Sequence, residues 1–266
     1  MRPLRPMRRV RPAAPLPNRR RYVLPGDDFV RLAMGRCLIY LRQDLIAQAD
    51  AILAAVIHLP TNTAEAESII GAGNRHSGYP LNLNGYDFFV RHARRGGLIR
   101  FLTSGLYFGL SPRPVHELAV TAEARRRGVP VAEPLGAIVQ WVAPALYRGA
   151  FLTRMLHGMT LWQFVQTDDD PMVREHVVGL ARGAINLAHR QGLFHADLNL
   201  HNIFVSTADE TFSIILLDLD KARLYKPPLT RVLRSKNLIR LRRSLHKLDP
   251  QGRYFSEALV TALTSP

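Results

Sequence analysis

A chain of 266 residues that is 47% hydrophobic and 21% charged has enough apolar side chain for one large domain or two small lobes sharing a cleft, which excludes disorder throughout. Cys37 is the only cysteine, so an intrachain disulfide and a cysteine-rich zinc site are excluded, and a small buried thiol in a reducing cytosol is expected. The net charge of +15 calls for a polyanionic partner without choosing between lipid headgroups and nucleic acid.

Residues 1–21 hold eight arginines and no acid, interleaved with prolines that block regular structure, so residues 1–25 are expected to form a basic flexible tail. No apolar segment follows to make these arginines a secretory signal, and no run in the chain approaches the ~20 apolar residues that span a bilayer. "DLIAQADAILAAVI" (44–57) predicts a helix. Asn84-Gly85 reads as a turn entering the strand "YDFFVRH", in which Phe88 and Val90 alternate with Phe89 and Arg91. A helix is predicted over 113–128, with Pro114 near its start and Gly128 as its stop. Extended structure broken by Pro130 and Pro134 follows, then a helix over roughly 172–190 and the apolar strand "FSIILLDLD". In "RVLRSKNLIRLRRSLHK" (231–247), Leu238, Leu241, Leu245 and Leu248 make one apolar helix stripe, with seven Arg and Lys residues on the other faces and no acid. That helix reads either as a surface helix docked on a core or as a surface for anionic lipid or nucleic acid. Strands dominate one half of the chain and helices the other, and the polar motifs fall where the halves should meet.

The stretch "HADLNLHNIFV" (195–205) carries the chemistry. His195, Asp197 and His201 form H-x-D-x3-H, and all three residue types bind zinc, but no matching cluster lies elsewhere. The same residues as ordinary capping and turn groups are a further reading. A phosphoryl-transfer loop asks more of the sequence. It needs an Asp to receive the hydroxyl proton, an Asn five residues on for magnesium, and a second Asp after an apolar strand. Asp197 and Asn202 have that spacing, and Asp218 ends "SIILLD" sixteen residues after Asn202, which leaves room for a hairpin between them. So many carboxylates ask for a cation, and magnesium prefers oxygen ligands and nucleotide phosphates.

With "LLDLDKARL", "VRHARRGGL", "HELAVTAEARRRGVPVAEP" and "NLIRLRRSLHK" around it, this stretch resembles the lipopolysaccharide kinase family, and within it the 3-deoxy-D-manno-octulosonic acid (Kdo) kinases, over roughly residues 70–248. The resemblance implies an α+β, protein-kinase-like fold of two lobes, residues 26–150 binding nucleotide and 151–266 holding the catalytic loop and the basic helix. It implies ATP and Mg2+ as cofactors, a Kdo-lipid A type glycolipid as acceptor, and a peripheral position at the cytoplasmic face of the bacterial inner membrane. An anionic membrane surface would then account for the basic segments without nucleic acid. Carried over by residue, it makes Asp197 the catalytic base, Asn202 and Asp218 the magnesium ligands and His195 a scaffold. Asp220 is a second metal contact, or a turn carboxylate paired with Lys221 or Arg223. Arg91 stands where protein kinases carry a lysine, with Glu117, or alternatively Glu123, as its ion-pair partner. Gly71 and Gly73 form a phosphate-covering turn or an ordinary one, and Arg94 and Arg95 meet acceptor anions or form a solvated hairpin. A heptose kinase of the same family and a noncatalytic kinase-like binding module are the alternatives.

Overall fold

Asn84 and Gly85 both adopt positive φ, 49° and 82°, as the tightest hairpin turns require, and they join strands β3 (Tyr79–Leu83) and β4 (Tyr86–His92). The structure is a computed structural model that describes residues 28–59, 78–92, 106–109, 111–207 and 211–265. The basic tail, Gly71, Gly73, Arg94 and Arg95 lie outside those residues. The strands before β3 are β1 (Phe29–Met34) and β2 (Cys37–Arg42), followed by helix α1 (Ala49–His58). Beyond β4 come β5 (Tyr107–Phe108), helix α2 (Arg113–Arg126), β6 (Pro134–Ala143) and β7 (Leu146–Arg154). These strands form one antiparallel sheet in the order β1-β2-β6-β7-β4-β3, with β5 also paired to β7.

Alternation along the strands decides what each face covers. Ile39, Leu41, Phe88, Val90 and Leu152 point to one side, where Leu45, Ile52 and Val56 close a core. The helix expected over 44–57 begins as a 3-10 turn, Gln43–Gln48, and becomes α-helical only at Ala49. On the other side Tyr40, Val139, Tyr147 and Phe151 pack on Val115 and Leu118 of α2. Cys37 is buried in the first core, as expected.

The chain then turns helical. β8 (Gly158–Thr160) leads into α3 (Leu161–Thr167), which Thr160 and Gln163 start with a reciprocal capping box. Asp170 caps and Pro171 opens the long α4 (Pro171–Arg190), the element closest to the predicted 172–190. β9 (Leu193–Phe194), the hairpin β10 (Ile203–Ser206) and β11 (Ser213–Leu216), and β12 (Arg223–Leu224) follow. α5 (Arg231–Leu248) and α6 (Glu257–Thr264) complete the described chain. The apolar stripe of α5 enters a core with Val177, Ala181 and Ile185 of α4, so Leu238, Leu241 and Leu245 are buried as the sequence pattern predicts. Val120, Ala124, Val129 and Val131 join the same core, which locks α2 to the helical half as well as to the sheet.

Candidate active site

A cavity of about 290 Å³ lies where the sheet meets the helical half. Phe89, Phe151 and Thr153 supply one wall, Phe204 and Leu216 the other, and Met155 and Leu156 run along the connecting segment. Gly158, with φ +141°, lets the chain pass against β10, because a Cβ there would run into the Val205 carbonyl. At one end the apolar walls give way to Arg91, Glu117 and Asp218.

The period-2 pattern of β4 explains why Arg91 is there: Phe88 and Val90 face the core, so Phe89 and Arg91 face the cavity. The Arg91 guanidinium bonds Glu117 through Nη2, while its Nη1 lies 2.7 Å from Asp218 Oδ1. Burial pushes the Glu117 carboxyl up, to about 7, against the pull of Arg91 and with a further push from Asp218 and Asp220. Glu123 instead pairs with Arg126 and Arg127 at the end of α2, so Glu117 is the partner of Arg91.

Asp218 has φ +61°, a left-handed turn that an Asp tolerates better than most residues. The next N–H, of Leu219, then hydrogen-bonds the Glu117 carboxylate, and His116 reaches the Ala222 carbonyl at 3.2 Å, so α2 is stitched to this segment. Asp220 lies 3.7 Å from Arg113, which the first turn of α2 brings over the segment, and its sequence neighbour Lys221 acts on the same carboxyl. The Asp220 carboxyl is raised by burial and then by Asp218.

The Asp197 loop is built from backbone hydrogen bonds. Asn202 Nδ2 donates to the Asp197 carbonyl at 2.7 Å and Asn199 Nδ2 to the same oxygen at 2.8 Å. The Asn202 carbonyl accepts from the Leu217 N–H at 2.9 Å, so the hairpin brings the Asp197 loop and Asp218 together as the spacing anticipated. His195 spans both. Its Nε2–H donates to the Leu217 carbonyl at 2.8 Å, and its Nδ1 accepts from the Asp197 N–H at 3.3 Å. Both nitrogens are thus committed to backbone in a ring that burial keeps neutral, which suits a scaffold and not a zinc ligand. Among the described residues no group of three or more His, Cys, Asp or Glu side chains is arranged to hold a metal ion. Glu117, Asp218 and Asp220 nevertheless gather three carboxylates around Arg91, with Arg113 farther out. The carboxylate oxygens gathered there, with the Asn202 backbone bonded to the same segment through Leu217, fit magnesium held by one or two carboxylates and completed by nucleotide phosphates.

Sequence reasoning missed two residues, both on α5. Asn237 is buried, accepts from the His195 N–H and from His189 Nε2, and donates to the His195 carbonyl. Arg240, one turn on, places Nη1 2.9 Å from Asp197 Oδ1. The available signal was Asn237 itself, a polar residue four before Leu241 and therefore on the apolar face.

The chain matches the model of the lipopolysaccharide kinase (Kdo/WaaP) family over residues 63–265. It is 33% identical over 196 residues to a 3-deoxy-D-manno-octulosonic acid kinase of Xylella fastidiosa (strain M23), covering 72% of this chain and 75% of that one. It is 32% identical over 170 residues to the enzyme so named in Pasteurella multocida (strain Pm70), covering 62% and 68%. Among solved structures, WaaP in complex with acyl carrier protein superposes with a TM-score of 0.52 at 16% identity, covering 85% of this chain and 88% of that one, which makes the fold α+β and kinase-like. The chain is therefore a member of the lipopolysaccharide kinase (Kdo/WaaP) family, a kinase whose acceptor group is a sugar hydroxyl.

Proposed function

We propose that the protein is an ATP- and magnesium-dependent kinase that phosphorylates a hydroxyl of Kdo on a lipid A precursor, working as a peripheral protein at the cytoplasmic face of the inner membrane. The observation that carries this reading is the convergence on Arg91 of Glu117, from α2, and Asp218, from the turn after β11, at one end of a mostly apolar cavity. A flat base suits the apolar walls, and Arg91 stands ready for phosphate at their end. In this reading residues 26–150 form the nucleotide-binding lobe and 151–266 the catalytic lobe.

Asn202 and Asp218, with Asp220 beside them, would hold magnesium, which when bound supplies positive charge to the phosphate oxygens. Arg91 adds a fixed guanidinium on the same side, and Glu117 and Asp218 keep it from collapsing into solvent. Asp197 orients the acceptor hydroxyl and takes its proton while the new O–P bond forms at the γ-phosphorus and the bond to the bridging β-oxygen breaks, releasing ADP. The Nδ2 donors of Asn199 and Asn202 on the Asp197 carbonyl fix the backbone from which that carboxylate projects.

No described helix is long and apolar enough to cross a membrane. The Arg and Lys residues of α5, with the exposed Val232 and Ile239 among them, support surface attachment instead. The test is transfer from labelled ATP, with and without magnesium, to Kdo-lipid A, to heptosylated core and to no acceptor in parallel. Magnesium-dependent label on Kdo is the expected outcome. Transfer only to the heptosylated acceptor, with the label on heptose, would replace this reading by a heptose kinase, and no transfer at all by a binding module.

A further inference from the structure

Arg240 occupies the carboxylate that an acceptor hydroxyl has to reach. Its Nη1 is 2.9 Å from Asp197 Oδ1, and the two side chains are 54% and 41% exposed, so the pair is weakly held and exchangeable. The backbone beneath it is firmly placed, because Asn237, three residues earlier, is bonded to both backbone groups of His195. Lys236, Arg243 and Lys247 share this flank of α5 at spacings of four, three and four, and all are exposed. The helix therefore presents a cationic edge whose innermost member touches Asp197, and whose outer members leave solvent open around it.

We propose that Arg240 is the receptor for the acceptor's carboxylate. On binding, its guanidinium leaves Asp197 for the acid group of the sugar, which it meets with two parallel N–H···O bonds, and this both orients the ring and uncovers Asp197 for the hydroxyl. A neutral sugar offers no such exchange partner, so Arg240 stays on Asp197. Selection for sugar acids is thereby built into the same contact that covers the carboxylate at rest. The inference rests on the Kdo reading and adds to it the group by which the acceptor is recognised.

The experiment compares a soluble Kdo glycoside with its C1 carboxamide, which has the same ring hydroxyls and no charge. The ratio of kcat/KM for acid over amide is measured within each full-length variant, so a general loss of activity or partial unfolding cancels. Loss of a charged hydrogen-bonded pair makes a wild-type ratio of about 10 to 100 the expectation, falling to about 1 in Arg240→Ala. Arg240→Lys, which keeps the charge without the fork, is expected in between. Arg242→Ala, on the opposite flank, should keep the wild-type ratio. A wild-type ratio near 1, or a ratio preserved in Arg240→Ala, overturns the assignment. So does an Arg240→Ala defect confined to membrane-embedded acceptor, which would point to a lipid phosphate instead. Transfer by the wild type to neither soluble acceptor, nor to Kdo-lipid A, overturns the Kdo reading and this inference together.

Discussion

Asn237 holds His195 by both backbone groups, its Oδ1 accepting from the N–H at 3.1 Å and its Nδ2 donating to the carbonyl at 2.7 Å. A helix residue more than forty positions downstream thus fixes the start of the Asp197 loop. Helix α5 is part of the site's frame, and its basic surface is only its outer side.

Replacing Asn237 by Ala leaves a buried N–H and a buried carbonyl without their side-chain partner, and removes the acceptor of His189 as well. The expected cost is about 2–4 kcal/mol of stability, read from the shift of the urea midpoint. Turnover should fall more than nucleotide affinity, because the loop that carries Asp197 loosens while Arg91, Glu117 and Asp218 keep their contacts. An unchanged midpoint would mean that the loop is held by its own hydrogen bonds alone.

Glu117 sets a pH dependence of definite sign. Burial raises its carboxyl from the ordinary value of 4.5 to about 7, so between those values the folded protein binds the proton more tightly than the unfolded chain. Its contribution to stability is complete below pH 4.5 and is lost as the pH rises through 7. The difference in unfolding free energy between wild type and Glu117→Gln, measured without nucleotide, should therefore move against the wild type across pH 4.5–7, by up to about 3 kcal/mol. A difference that stays flat over that window would show that Arg91 keeps Glu117 ionised throughout.

The two aspartates should fail differently. Asp197→Asn removes the proton acceptor and is expected to lower kcat by about 10² to 10⁴, with little change in binding of a fluorescent ATP analogue. Asp218→Asn removes the partner of Arg91 Nη1 and the proposed metal ligand, so it should weaken binding of the same analogue chiefly in the presence of magnesium. Near wild-type turnover by Asp197→Asn would remove Asp197 from the role of base.

How much of this site is legible in the sequence depends on how local its determinants are. Asp197, Asn202 and Asp218 sit on one loop and one hairpin, so spacing alone brings them together. Arg91 and Glu117 are 26 residues apart, yet each lies on an element whose period declares which face it presents. Charge proximity along the chain suggests Lys221 or Arg223 for Asp220, and Lys221 does act on it, but Arg113 escaped because its place is fixed by how α2 crosses the segment. Arg240 escaped for the same reason. In a helix with seven cations, nothing local marks the one that a tertiary contact will choose.

That contact also narrows what the outer face of α5 can be asked to do at a membrane. Leu238, Leu241 and Leu245 are buried and Arg240 is engaged with Asp197, so a charge introduced at the leucines or reversed at Arg240 would confuse attachment with folding or acceptor handling. Arg243 and Lys247 are exposed and touch neither the core nor Asp197, so they are the cations of this flank whose reversal bears most directly on lipid binding, with transfer to a soluble acceptor as the control for Arg240. Each basic residue near an anionic surface contributes about 1 kcal/mol, so Arg243→Glu with Lys247→Glu should lower the partition onto phosphatidylserine vesicles by at least about 30-fold at low salt. The defect should shrink as ionic strength rises, since the attraction is screened over a Debye length of about 8 Å at physiological salt. Deleting residues 1–21, with their eight arginines, should add to it. The apparent KM for bilayer-embedded acceptor should rise in step with the loss of binding. Vesicle sedimentation showing equal binding by wild type, the double reversal and the deletion at low salt would exclude both basic segments from attachment, and preferential retention on nucleic acid over vesicles would reassign the charge to the other polyanion.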